Sequence, residues 1–204
     1  MKLFITQGSP YARKVRVVLA EKHIECELVT VASLAAPDSP VSEFNPLGKV
    51  PTLVLDDGTS YYDSAVIVDY LDNKVPVSRL IPQDNINRAS VRRWEALADG
   101  VCDATVAVVM EKRRPPEKQD ETVIERQLLK ITRGLKCLSD DMREGKWAAG
   151  DRFTLADIAV GCVLGYIDLR MPEINWREQY PNLAALYEKL MQRPSFRDTA
   201  PPAS

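Results

Sequence analysis

The sequence predicts two domains of different class, an α/β domain followed by an all-α domain. The 204 residues are enough for two small domains. Short β-rich runs and turn signals are confined to the first part of the chain, whereas long helical patterns fill the second. Between them, a stretch with two prolines and no clear period is typical of a linker. We therefore expect an α/β domain at 1–76, a linker at 77–86 and an all-α domain at 87–204.

The chain is expected to begin with a β-α-β unit. The apolar run Lys2–Thr6 predicts a buried strand. In Gly8-Ser9-Pro10, glycine breaks the strand, serine is a good N-cap and proline suits the first helical position. A helix is predicted from Tyr11 to about Lys22, and a second strand over Cys26–Val31. This order implies a parallel pair of strands.

A β-β-α unit follows after a long connection. Thr52–Leu55 and Ser60–Tyr62 flank an Asp-Asp-Gly turn and are predicted to form a hairpin. Asp63 and Ser64 then open a helix that we expect to run from Ala65 to Asp72. Three of its side chains are expected to face the core: Val66, Tyr70 and Leu71.

The side chains of the first helix are expected to divide into an apolar and a charged face. The apolar face contains Val15, Val18 and Leu19 at helical spacing. The basic residues around them are expected to be solvated or in ion pairs: Arg13, Lys14 and Arg16. The sole histidine, His23, is placed late in this helix, in a structural role beside the negative end of the helix dipole.

The second part of the chain predicts four long helices, at about Asn87–Arg113, Asp120–Arg143, Thr154–Arg170 and Asn182–Gln192. Pro115 and Pro116 end the first of them, because proline cannot continue a helix. Thr154 and Asp157 form a capping box at the start of the third.

Composition excludes several classes of function. The net charge of -2 argues against a nucleic-acid partner bound by phosphate neutralisation. One histidine cannot build a His-rich metal site, and the four dispersed cysteines include no CxxC pair. No segment approaches the ~20 apolar residues of a membrane span, and the first residues lack a signal-peptide pattern. We expect a reduced, cytoplasmic protein that binds neither a metal, nor nucleic acid, nor a membrane.

Three short motifs could carry chemistry. Ser9, at a helix start, could donate a hydrogen bond to an anion such as a thiolate. A cis bond at Val50-Pro51 would leave the Val50 backbone free to pair with a peptide-like ligand. Ser64 and its helix N-terminus could hold a carboxylate, and Asp63 an ammonium. Each motif taken alone is more often an ordinary cap or a trans proline.

The order and spacing of these motifs are more specific than any one of them. The chain contains SPYARKVR after the first strand, then NPLGKVPTLV, YYDSAVIVDYL and, in the helical part, FTLADIAV. With these segments it resembles the cytosolic glutathione transferases over essentially its whole length, and in particular bacterial members with serine at the first helix start. The resemblance implies a thioredoxin-like N-terminal domain and an all-α C-terminal domain.

The resemblance also implies roles for particular residues. Ser9 would hydrogen-bond the sulfur of glutathione and favour its thiolate. Val50, preceding a cis Pro51, would pair with the cysteinyl backbone. Asp63 and Ser64 would bind the γ-glutamyl ammonium and carboxylate, and Lys49 could reach the glycyl carboxylate.

The family implies a small electrophile as second substrate, bound between the domains, and a homodimer. The candidates for the electrophile site are Tyr11, Arg113, Tyr166 and Arg170. Glutathione would be the co-substrate, without a metal. One alternative is a glutathione-dependent disulfide reductase or peroxidase, which would have to use bound glutathione alone because the helix-start residue is Ser9 and not cysteine. Another is a non-catalytic binding protein with the same fold.

Overall fold

The computed structural model describes residues 1–34, 36, 39–142 and 147–201 and divides the chain into two compact units. The first contains Met1–Leu80 together with a short helix from the far end of the chain, Pro194–Arg197. The second contains Ile81–Arg193. The short helix lies in the stretch that the predicted boundaries give to the C-terminal domain.

The first unit is a small mixed sheet with three helices. Its elements in chain order are β1 (Lys2–Ile5), α1 (Pro10–Glu21), β2 (Glu27–Thr30), β3 (Thr52–Val54), β4 (Ser60–Tyr61) and α2 (Ser64–Lys74). The strand order is β2-β1-β3-β4. β1 and β2 are parallel, as predicted, and the other two pairs are antiparallel. The predicted β-α-β and β-β-α order is confirmed.

The core of the first unit forms where the central strands meet the helices. Leu3 of β1 and Leu53 of β3 are paired across the sheet, and both are fully buried. α1 adds its predicted apolar residues, Val15, Val18 and Leu19.

The prediction for α2 was wrong in part. Leu71 is buried and Tyr70 is half-buried, but Val66 is 47% exposed. The buried stripe of this helix follows the spacing i, i+3, i+4, i+7, i+8 from its first residue, and position 66 lies outside that stripe. Its apolar members are instead Ile67, Val68 and Leu71.

Of the expectation that the basic residues of α1 are solvated or in ion pairs, the solvation was wrong for two of them. Arg13 and Lys14 are only 4% and 1% exposed. The Arg13 Nη2 donates to the Phe196 carbonyl at 3.1 Å, and its guanidinium lies over the Phe196 ring, 5.5 Å from the centroid. Arg16 also points to this segment, 3.5 Å from the carbonyls of Asp198 and Thr199. A helix distant in sequence therefore covers this face.

The end of α1 is a Schellman motif. His23 was predicted to be late in the helix, but it lies one residue beyond the C-cap Lys22 and has φ of +52°. Its N–H donates to the Ala20 carbonyl, and the Ile24 N–H donates to the Leu19 carbonyl. This is the standard hydrogen-bond pair of a left-handed helix end, a position that histidine tolerates better than most residues.

The second unit is helical. It contains α3 (Asn85–Lys112), a 3-10 turn (Pro116–Lys118), α4 (Glu121–Asp141), α5 (Leu155–Arg170), α6 (Trp176–Gln179) and α7 (Pro181–Met191). The four long helices were predicted close to these bounds, except that the predicted end at Arg143 lies outside the described residues. The short elements, and the helix Pro194–Arg197 of the first unit (α8), were not predicted. None of the helices within the described residues is long and apolar enough to cross a membrane.

Close packing fixes the helices of the second unit. Nearly all of α5 is buried, and α4 brings Gly134 so near to Val101 of α3 that there is no room for a Cβ. The predicted capping box at the start of α5 is present, since Asp157 accepts from the Thr154 N–H at 2.8 Å. Asp157 also accepts from the Ala148 N–H at 2.7 Å. Burial raises the pKa of the Asp157 carboxyl, although these hydrogen bonds act in the opposite direction.

Candidate functional site

The strand directions bring the three predicted motifs to one end of the sheet. β1 and β4 run in one direction and β3 in the other. The residues that follow β1 and β4 therefore share an end of the sheet with the residues that precede β3. Ser9 follows β1, Val50 precedes β3 and Ser64 follows β4. If the register of the Phe4–Thr52 pair continued for two more residues, position 6 would lie opposite position 50.

Ser9 is the N-cap of α1, and its capping role leaves its proton available. Its backbone is extended, and its Oγ accepts from the Ala12 N–H at 3.2 Å. Its own N–H donates to the Thr6 carbonyl, which ties the helix start to the end of β1. Accepting a hydrogen bond uses a lone pair, so the half-buried hydroxyl can still donate to an anion in front of the helix.

The Val50-Pro51 peptide bond is cis. Pro51 is buried, Val50 is half-buried and Lys49 is exposed. Within the part of the chain that the structure describes, neither the N–H nor the carbonyl of Val50 makes a hydrogen bond. A strand start with both groups unused can pair with an extended ligand as one more strand would.

Asn45 organises the loop before Val50, a role that was not predicted from the sequence. Its Nδ2 donates to the Lys49 carbonyl at 3.0 Å and to Thr52 Oγ1 at 3.1 Å, and its Oδ1 accepts from the Leu47 N–H at 3.0 Å. The Thr52 hydroxyl donates to the same Lys49 carbonyl at 2.9 Å. Asn45 and Thr52 are both buried. In the sequence, the Asn-Pro step at this position predicts a turn, but it does not predict these hydrogen bonds.

At the third motif, Asp63 and Ser64 have different roles. Asp63 is the N-cap of α2, and its Oδ1 accepts from the Ala65 N–H at 3.0 Å. Ser64 is the first residue of the helix and is 3% exposed. Its hydroxyl makes no hydrogen bond with any residue that the structure describes. Because Asp63 provides the cap, the Ser64 hydroxyl and the first N–H groups of α2 can hold an anion.

Two of the four electrophile-site candidates lie together, and a third belongs to the same unit. The Arg170 guanidinium lies 6.0 Å from the ring centroid of Tyr166. Tyr166 is 8% exposed, and burial raises the pKa of its hydroxyl, while the charges of Arg170 and Arg113 lower it. These three residues belong to the second unit, whereas Tyr11 is a half-buried residue on the first turn of α1.

The described residues contain no group of three or more histidine, cysteine, aspartate or glutamate side chains that could hold a metal ion. The four cysteines, Cys26, Cys102, Cys137 and Cys162, are present as free thiols.

A mixed four-stranded sheet with a cis-proline loop, followed by a helical domain, defines a thioredoxin-like protein with a helical C-terminal domain. Residues 3–79 match the family model of the glutathione S-transferase N-terminal domain, and residues 121–189 match that of the C-terminal domain. The chain belongs to the glutathione S-transferase family, as its resemblance to the family suggested.

Relatives and solved structures agree with this assignment. The chain is 38% identical to an uncharacterised GST-like protein, YibF, of Escherichia coli, over 99% of both chains. It is 57% identical to a glutathione S-transferase from Methylobacillus flagellatus solved with GSH bound, with a TM-score of 0.95 and coverage of 98% of this chain and 99% of that one. It is 42% identical to a family member from Pseudomonas fluorescens Pf-5 solved with S-(propanoic acid)-glutathione, with a TM-score of 0.88 and 99% coverage of both chains.

Proposed function

We propose that this protein is a glutathione transferase, which activates the thiol of glutathione as a thiolate for attack on a small electrophile. The observation that carries the proposal is that one end of the sheet has three groups that no residue in the described part of the chain engages in a hydrogen bond. They are the Ser9 hydroxyl proton, the Val50 backbone and the Ser64 hydroxyl. In addition, the Methylobacillus flagellatus protein was solved with GSH bound.

Ser9 is proposed to stabilise the thiolate as a hydrogen-bond donor. A free thiol has a pKa of about 8.5, and lowering it by about two units takes about 2.7 kcal/mol. A hydrogen bond to a charged group contributes about 1.5–3 kcal/mol, and a helix N-terminus about 0.3–1 kcal/mol. These contributions suffice without a histidine, and Ser9 itself need not ionise.

The remaining groups are proposed to hold the tripeptide in place. The N–H and carbonyl of Val50 pair with the backbone of the cysteinyl residue. The Ser64 hydroxyl and the N-terminus of α2 bind the γ-glutamyl carboxylate, and Asp63 binds the ammonium. The exposed Lys49 is placed to reach the glycyl carboxylate.

In the proposed reaction, the electron pair of the thiolate forms a sulfur–carbon bond to the electrophile. The leaving group then departs with the electron pair of the bond that breaks. The product is an S-substituted glutathione, the kind of molecule found in the Pseudomonas fluorescens structure. Candidates for binding the electrophile are Tyr11, Arg113, Tyr166 and Arg170. We also propose a homodimer, which light scattering can test.

The test begins with calorimetric titration of glutathione. It continues with two activity assays, one with a chloro-dinitro aromatic substrate that releases chloride and one with a disulfide. Glutathione binding with turnover of the aromatic substrate supports the proposal. Binding with disulfide turnover alone would instead select a glutathione-dependent reductase. Absence of binding at millimolar glutathione would contradict both.

Two substitutions at Ser9 separate capping from catalysis. Ser9→Ala removes both the hydroxyl and a good N-cap, whereas Ser9→Gly removes the hydroxyl but keeps an acceptable cap. We expect both variants to raise the pKa of the thiol of bound glutathione, which the ultraviolet absorbance of the thiolate measures as a function of pH. A shift in the alanine variant alone would show that Ser9 acts only as a cap. Ser64→Ala should weaken glutathione affinity more than it slows the reaction of bound substrate.

A further inference from the structure

The first turn of α1 determines where the Ser9 hydroxyl lies. The Ser9 Oγ accepts from the Ala12 N–H at 3.2 Å, and the Ser9 carbonyl accepts from the Arg13 N–H at 3.0 Å. The Ser9 N–H donates to the Thr6 carbonyl. Two of these three hydrogen bonds come from the first turn of α1, so a displacement of that turn displaces the Ser9 hydroxyl with it.

Arg13 attaches this turn to α8, which belongs to the same unit. Its side chain is buried, and its Nη2 donates to the Phe196 carbonyl at 3.1 Å. Its guanidinium also lies 5.5 Å from the centroid of the Phe196 ring, which is fully buried. The residue whose N–H binds the Ser9 carbonyl is therefore held by its side chain on the last helix of the chain.

α8 itself is held along α1 by more than this one contact. The Ser195 hydroxyl donates to the carboxylate of Glu21, the last residue of α1. Arg16 lies 3.5 Å from the carbonyls of Asp198 and Thr199. A helix of four residues is too short to be stable alone. Its contacts with α1 therefore keep it in place, and through them it can hold the first turn.

Buried cations hold α1 near both of its ends. At the far end, the ammonium of the C-cap Lys22 is paired with Asp72. Near the start, the guanidinium of Arg13 is held by Phe196. Burying a cation costs free energy unless charges or hydrogen bonds compensate it. The two cations are alike in burial and differ in position, because the one at Arg13 lies in the turn that binds Ser9.

We propose that Arg13 and Phe196 are positioning residues that direct the Ser9 hydroxyl at the sulfur of glutathione. A hydrogen bond weakens steeply when its angle departs from linearity, so a small tilt of the first turn reduces the stabilisation of the thiolate. Arg13 acts through Ser9 and not by contact with the sulfur. This inference rests on the proposed function, because it concerns the residue that activates the thiol there.

The experiment measures the pKa of the thiol of bound glutathione in the full chain, through the ultraviolet absorbance of the thiolate as a function of pH. Arg13→Met removes the guanidinium, whereas Phe196→Leu removes the ring and keeps both the charge of Arg13 and the backbone carbonyl. Both variants should raise that pKa, so that the thiolate fraction at a pH below it decreases about threefold. Phe196→Leu is the milder change and carries the test by itself if Arg13→Met does not fold.

The rate and the affinity should change in a way that lost stability alone does not produce. The rate with the chloro-dinitro aromatic substrate should decrease by the same factor at low pH and recover at a pH above the raised pKa. At a pH where the bound thiol is protonated, the affinity for glutathione should equal that of the wild type, which also shows that the variants are folded.

Two further variants separate positioning from stability and from charge. Lys22→Met is the matched control, because it removes a buried cation at the other end of α1. Measured below its Tm, it should leave the pKa of the bound thiol as in the wild type. In a Ser9→Gly background, Arg13→Met should raise the pKa no further, because the hydroxyl through which it acts is absent.

The inference has distinct ways to fail. If Arg13→Met raises the pKa and Phe196→Leu does not, the charge of Arg13 explains the effect and positioning by α8 is refuted. An equal shift in Lys22→Met would assign the effect to lost stability, and an additional shift in the Ser9→Gly background would show that Arg13 does not act through Ser9.

These outcomes are distinguishable from failure of the proposed function. If Ser9→Gly raises the pKa of the bound thiol but Arg13→Met and Phe196→Leu do not, the proposed function stands and this inference is refuted. If the wild type does not bind glutathione, the proposed function is wrong and this inference fails with it.

Discussion

The buried ammonium of Lys22 allows a prediction whose size follows from the structure. Its Nζ lies 2.7 Å from Asp72 Oδ1, and the two side chains are 1% and 2% exposed. The same ammonium donates to the carbonyls of Val75 at 2.7 Å, Val77 at 3.0 Å and Ser78 at 3.3 Å. It therefore joins the end of α1 to the residues that follow α2.

Lys22→Met keeps most of the side-chain volume but removes the charge and every donor. Asp72 is then left as a buried carboxylate without its cation, and three carbonyls lose a donor. Breaking a buried ion pair from one side costs about 3–5 kcal/mol. For a chain of this length, each kcal/mol lowers Tm by about 2–4 °C. We expect the Tm of the protein to decrease by about 6–20 °C.

The assay must follow the two units separately. The three tryptophans, Trp94, Trp147 and Trp176, all lie in the second unit, so their fluorescence follows its unfolding. Amide hydrogen exchange in β1 and α1 follows the first unit. Lys22→Met should accelerate exchange in these elements. The control is Lys136→Met, which removes an ion pair of similar length, 2.6 Å to Asp140, between side chains that are 66% and 59% exposed.

Equal stability losses in Lys22→Met and Lys136→Met would refute this reasoning, because burial would then make no difference to what an ion pair contributes to the free energy of unfolding. An unchanged exchange rate in β1 and α1 of Lys22→Met would refute it as well. Exposed pairs contribute little because water already solvates both charges, so the Lys136 variant should behave as the wild type.

Three further predictions follow from the packing, the loop and one ion pair. Gly134→Ala should destabilise the second unit by about 1–3 kcal/mol, because the new Cβ has no space. Gly100→Ala should stabilise the same unit by about 0.5–1 kcal/mol, because position 100 is in open space. Tryptophan fluorescence during urea unfolding measures both changes. Asn45→Ala should cost the first unit about 1–3 kcal/mol and weaken glutathione binding, which hydrogen exchange and calorimetry measure. The Arg93 guanidinium lowers the pKa of Asp141, so this pair should stabilise the second unit above the ordinary carboxyl pKa of about 3.9 and lose that contribution as pH falls through the lowered value. Asp141→Asn should abolish that part of the acid dependence of urea unfolding.

The elements of the fold could be predicted because their signals are local. Strand and helix periodicity, the Asp-Gly turn and the capping box at Thr154 each depend on residues within a few positions of one another. The burial of Arg13 could not be predicted, because its partner carbonyl belongs to Phe196, 183 residues away. α8 has four residues and is too short to show a helical period.

At the candidate site, the residue types could be predicted but not how each is used. From the sequence, capping and thiolate binding were alternative roles for Ser9. The structure makes them compatible, because the Ser9 hydroxyl accepts a hydrogen bond from the Ala12 N–H and can still donate its own proton. For Ser64 the cap turned out to belong to its neighbour Asp63. Asn45 was missed because its three hydrogen bonds exist only when the loop before Val50 is folded.

The position of α8 has a consequence for biosynthesis. The thioredoxin-like unit consists of residues from both ends of the chain, and Arg13 donates to a carbonyl of its final helix. During translation, domains usually fold as units in order of emergence. Here the ribosome delivers the last piece of the first unit only after the whole helical unit has been synthesised. The face of α1 with Arg13 and Arg16 therefore stays uncovered until α8 has been synthesised, and the N-terminal unit begins to fold first but is completed only after the helical unit.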